Sequence, residues 1–306
     1  MDITALIEEL LDAQFRFDEW AEKVLEVGID IWNFAVVAIV RLLGTDLDSF
    51  AGGAGLDFVM NLQPVFLSIA APLFVCFFFY NIYEQSYEEK KSKLDIWNVI
   101  QMFYPLVIGE AILTYSTDIV VWVFKMGFYL VRSVTHYNID SLLIDKDVVM
   151  QAMADNELTF GEDIVGGILQ LLLSLFTVVI LVVCALMLFY IVDFRYIKLY
   201  ALLPFSSLAF CTYVGPQEFR RISVMYFKYI TALALESVAM LVTIILCNVI
   251  VTGNIDSGIM DIVGLFHIDN HFGILLAHYL VLIFNCCMTV GAAKGSEQVI
   301  ERWLVH

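Results

Sequence analysis

From Ile164 to Val192 the chain carries no charged residue. A bilayer core takes roughly 20 apolar helical residues to cross, and this run is longer than that. It cannot be a strand of an open sheet in lipid, because every backbone N–H and C=O there must be satisfied within the segment. A helix is the remaining solution. Uncharged runs recur at Phe58–Tyr83 and Gly273–Ala292, and apolar runs with a few charges at Ile96–Val134 and in the helix that continues to about Val251. Of 306 residues, 61% are hydrophobic, whereas an ordinary soluble domain is about 45–50% apolar. The expected fold class is therefore an all-α polytopic membrane protein.

The runs are unequal. Residues 1–27 are acidic, with apolar positions at Leu6, Leu10, Leu11, Phe17, Trp20 and Val24, and predict an N-terminal amphipathic helix instead of a basic leader. Gly28–Leu43 is short for a crossing, with Asp30 and Arg41 near its ends. Ile96–Val134 is too long for one crossing, and Ser116, Thr117 and Asp118 interrupt it. A crossing over Ile96–Thr114 is expected there, then a second helical piece lying along the outer face or re-entering. Leu199–Val214 contains Pro204, Ser206 and Ser207, and is expected to enter and leave on one side as a re-entrant or interfacial segment. About six transmembrane helices result, or five if Gly28–Leu43 does not cross. The implied divisions are the amphipathic helix 1–27, an N-terminal membrane region 28–134, an acidic extracytoplasmic loop 135–163, a C-terminal membrane core 164–292 and a cytoplasmic tail 293–306.

Charge sets the expected orientation. The net charge is −17, which argues against a nucleic-acid-binding surface as the main purpose. The few cations are nevertheless segregated. Lys90, Lys91, Lys93, Arg195, Lys198, Arg220, Arg221, Lys294 and Arg302 fall on one side of the expected spans, and the opposite loops hold Lys146 and otherwise acids. The positive-inside bias makes the first side, with the C-terminus, cytoplasmic. Lys90, Lys91, Lys93, Arg195, Lys198, Arg220 and Arg221 form an inner rim. They hold the loops inside, and they are candidates for docking a partner or contacting substrate. Glu110, Lys228 and Glu236 lie in apolar runs, where ionisable groups usually face a partner or a water-filled space. Glu236 is expected to pair with another helix or to line a pathway, and Lys228 to snorkel.

Catalytic motifs are missing from the sequence. It has no GxxxxGK[ST], no HExxH and no GxSxG. His267 and His271 flank Asp269 at a spacing that could hold a metal ion, but Asn270 beside them reads more simply as a helix cap. The six cysteines sit in apolar runs without metal-ligand spacing and read as small buried hydrophobes. No enzyme, metal or cofactor is expected.

Three pieces of sequence carry a family resemblance. A long span ends in DFRYIKLYALLPFSSLAF; an inner loop with Arg220 and Arg221 follows; then YFKYITALALESVAMLV leads into another span. This arrangement, over about Ile164–Ala292, resembles the TrbL-like family, the polytopic inner-membrane subunit of type IV secretion and conjugation systems. The resemblance implies a non-catalytic part of a translocation channel in a bacterial cytoplasmic membrane, present in several copies. Its partners would be other secretion-system subunits, including separate ATPases, and its substrate single-stranded DNA with a bound relaxase, or protein. The rival reading is a secondary transporter or other small-solute channel, in which Pro204 and Pro105 would mark paired broken helices.

Overall fold

The computed structural model describes residues 3–88, 96–138, 143, 144, 146, 149, 164–265 and 271–305. Lys90, Lys91, Lys93, His267 and most of the acidic loop 135–163 lie outside the described residues. All regular structure among the described residues is helical. The helices are α1 (Ile3–Leu43), α2 (Ala54–Glu88), α3 (Ile96–Thr114), α4 (Ser116–Asn138), α5 (Ile164–Leu202), α6 (Ser206–Phe210), α7 (Gln217–Leu265) and α8 (His271–Val305). Single 3-10 turns occupy Phe50–Gly53, Leu203–Phe205 and Cys211–Val214.

Four helices are long and apolar enough to cross a membrane, or up to five when the α3–α4 pair counts as one bent span. They cover Ala54–Glu84, Gly167–Val214, Gln217–Cys247 and Leu275–Ile300. The expected sixth, Gly28–Leu43, is no separate helix. It is the second half of α1, whose buried stripe runs through Ala21, Leu25, Ile29, Trp32, Val36, Ile39 and Leu43. The stripe keeps helical spacing across the expected boundary, so nothing ends the helix there.

The chain forms two compact units. One comprises residues 1–41, 135–192 and 240–295. In it α1 approaches α5 closely at Gly28, where a Cβ would lie 2.6 Å from Val178 Cγ2. Asn33 clasps the loop before α5: its amide donates to the Ile144 carbonyl and its oxygen accepts the Ile144 N–H, both at 2.9 Å. Lys146 bridges Asp30 and Glu26 beside this clasp. Cys184 of α5 and Cys287 of α8 bring their sulfurs to 3.8 Å. All six cysteines are free; four are buried as expected, and Cys76 and Cys287 are exposed.

The other unit comprises residues 42–134, 193–239 and 296–306. Its core joins α2 (Ala70, Phe74, Phe78) and α3 (Leu113) to the interrupted segment through Cys211 and Val214. Asn81 donates to the Val214 carbonyl at 2.9 Å. The turn into α2 holds Gly52 and Gly53 at φ 67° and 81°, which favours residues without a Cβ. Here α5 runs past its expected end at Val192 to Leu202, so the DFRYIKLY stretch is helical. The tail expected after Ala292 likewise continues α8 to Val305.

Candidate functional site

Among the polar groups buried in the second unit are two opposite charges, Arg195 and Glu236, and two pairs of hydroxyls. Both arise where the apolar pattern is interrupted.

Arg195 lies in the last turns of α5 and is 2% exposed. Its Nε and Nη2 face the Leu233 carbonyl of α7, each at 3.4 Å. These are long contacts, since good N–H···O bonds cluster near 2.9 Å. Its Nη1 is buried without a hydrogen-bond partner among the described residues. The guanidinium carbon sits 5.9 Å from the Phe128 ring centre and 5.8 Å from that of Tyr196, within cation–π range. Glu236, one turn beyond Leu233, is 3% exposed. Its carboxylate is the opposite charge acting on Arg195. An isolated buried cation would be very costly, and a nearby buried anion offsets part of that cost.

Aromatic rings wall the pair. Tyr196 stacks on Phe50 with ring centres 3.9 Å apart and planes 3° from parallel. Its hydroxyl reaches the carbonyls of Leu42 (2.6 Å) and Thr45 (2.9 Å), where the chain leaves α1. Next to it, Gly127 of α4 meets α7 so closely that a Cβ would stand 2.7 Å from the Ala234 carbonyl oxygen.

The hydroxyls lie at two helix breaks. Between α3 and α4 the chain bends by 67° at Tyr115. Ser116 and Thr117 follow this bend, and Ser206 and Ser207 open α6; all four are at most 1% exposed. Ser116 Oγ and Ser207 Oγ are 3.0 Å apart, and Thr117 Oγ1 and Ser206 Oγ 3.3 Å. Each hydroxyl supplies the partner that the other needs away from water. The bend falls where the sequence anticipates it, at Ser116. Pro105, the alternative marker, lies inside α3 without breaking it.

The residues expected on one inner rim do not share an environment. Arg195 is buried and so is not exposed for docking. Lys198 is paired with Glu297 of α8. Arg220 and Arg221 are exposed on the first turns of α7. Arg220 donates to the Tyr213 hydroxyl at 2.8 Å and stacks 4.5 Å from that ring's centre. Lys228 is exposed on the same helix, and Glu110 is exposed on α3. Of the three intramembrane groups, Glu236 alone joins the buried site. The opposite charge acting on it is that of Arg195, a residue that charge counting assigned to the rim. The hydroxyl bridges were not anticipated, although Ser-Thr and Ser-Ser dipeptides in interrupted apolar runs are their signal.

Comparison of this chain with protein-family models, with curated proteins and with solved structures finds no match. What the helices define is a class: a helical, multi-pass membrane protein. Within it, one unit is tied together by the contact of Arg195 with the Leu233 carbonyl and by hydroxyl contacts at two helix breaks.

Proposed function

We propose that this chain is a non-catalytic membrane subunit of a type IV secretion or conjugation channel. It helps form the path for a DNA–protein substrate across a bacterial cytoplasmic membrane. The observation that carries the reading is the coherence of Asp193–Glu236, the heart of the family resemblance. These residues close on themselves: Arg195 reaches the Leu233 carbonyl, Tyr226 donates to the Leu202 carbonyl at 2.9 Å, and the Phe210 and Tyr226 rings meet edge to face. A segment so tied is a built element, not a loose connection between spans. In this reading six spans cross, the sixth being the second half of α1, and the C-terminus is cytoplasmic. Several copies surround the path, and separate ATPases supply the energy. Arg220, held outward on Tyr213, is the docking cation.

A second reading has its own support. Two interrupted helices that meet through buried hydroxyls, in a unit that also buries Arg195 and Glu236, suit the substrate site of a secondary transporter. A cross-linked affinity pull-down from the native host, in mild detergent and read by mass spectrometry, separates the two. Recovery of hexameric ATPases with single-span assembly proteins is the expected outcome. Recovery of the chain alone, or with copies of itself, would overturn the secretion reading in favour of the transporter.

A further inference from the structure

The first turns of α7 carry a mixed stripe. Arg221 and Lys228 are two turns apart, about 10 Å along the axis and on nearly the same face. Val224 and Met225 lie between them, 45% and 42% exposed. Neither cation makes an ion pair among the described residues, including with Glu218 one turn before Arg221. The stripe lies within the membrane-crossing stretch Gln217–Cys247. If this stretch crosses, its exposed Val and Met side chains face acyl chains. Both cations have flexible stems that extend along the helix to the headgroup layer.

We infer that Arg221 and Lys228 bind the phosphate of an anionic phospholipid whose acyl chain lies over Val224 and Met225. Two unpaired cations select a headgroup with net negative charge. Phosphatidylcholine brings its own cation and gains little. Arg220 points to a different side of the helix, towards Tyr213, so docking and lipid binding use separate faces. The inference holds for either functional reading.

The test is native mass spectrometry of the full-length protein in detergent, with equal amounts of phosphatidylglycerol and phosphatidylcholine. Each cation near an anionic layer is worth about fivefold in association. R221A/K228A should therefore lower the phosphatidylglycerol association constant roughly 25-fold and leave that of phosphatidylcholine within about twofold. The charge-preserving R221K/K228R should keep phosphatidylglycerol binding, as should K23A/K125A, whose lysines already pair with Glu19 and Asp48. Equal retention of the two lipids by the wild type would overturn the inference. So would undiminished phosphatidylglycerol binding by R221A/K228A, or its loss in R221K/K228R. Displacement of the lipid by millimolar inorganic phosphate would reassign the stripe to a soluble anion.

Discussion

Arg195 and Glu236 are both buried, and their opposite charges act on each other. Removing one leaves a buried charge without its counter-charge, which costs about 3–5 kcal/mol. Removing both leaves an apolar site of similar volume, often at little net cost. Thermal unfolding in detergent should therefore show Arg195→Met and Glu236→Leu each strongly destabilising, and the double variant less so than either. Additive losses would mean that the two side chains act independently. A second charged contact behaves differently because Lys146 lies in the loop before α5 and its partners Asp30 and Glu26 are half exposed. The hydrogen bond from Lys146 to Asp30, aided by the charges of Asp30 and Glu26, raises the Lys146 pKa above its ordinary 10.5. A cation with a raised pKa contributes stability below its ordinary value and loses it as pH rises through the raised one. The clasp on α1 should thus hold through neutral pH and loosen above about 10.5. Hydrogen exchange at the Ile144 amide, which donates to Asn33, reads this directly. Asp30→Asn should accelerate that exchange at neutral pH and make little difference in strong alkali.

Among the elements, breaks were easier to read than continuities. Ser116, Thr117, Pro204, Ser206 and Ser207 interrupt apolar runs; Pro removes a helix hydrogen bond, and Ser and Thr hydroxyls compete with the backbone for its partners. The structure bends or tightens at both places. Gly28, by contrast, looked like a boundary and is a contact: its missing Cβ admits Val178, and α1 passes through without interruption. Composition around a glycine does not reveal which of these two roles it plays. The same ambiguity covers Gly127 and Gly291. Gly127 faces the Ala234 backbone at 2.7 Å from a built Cβ, and Gly291 faces open space. Backbone cannot move aside as a flexible side chain can, so Gly127→Ala should push α4 from α7 and cost about 1–3 kcal/mol. Gly291→Ala should leave stability unchanged or raise it by up to about 1 kcal/mol. Melting temperatures of the two variants in one detergent decide this, and equal values would mean that α4 does not approach α7 so closely.

For the whole molecule, hydropathy was sufficient to give the class and insufficient to give the number of spans. Apolar content and long uncharged runs leave a bundle of membrane helices as the folded state. Span number depends on whether an amphipathic stripe such as that of α1 faces protein or lipid, and that is a property of its neighbours. The same limit applies to the basic residues. Counting charges by side groups Arg195, Lys198, Arg220 and Arg221 together, but burial removes the first and Glu297 engages the second. In the proposed secretion reading, docking through this group would fall to the first turns of α7, where Arg220 donates to Tyr213 and stacks on its ring. Reversing that charge tests the function with little risk to the fold, because Arg220 is exposed and its loss removes one surface contact worth about 1 kcal/mol. Arg220→Glu should leave protein level and melting temperature nearly unchanged while lowering conjugative transfer at least tenfold and releasing the ATPases from the pull-down. Arg220→Lys keeps the charge but not the planar stack on Tyr213, and should fall between the two. Transfer at the wild-type rate by Arg220→Glu would remove this residue from the docking face.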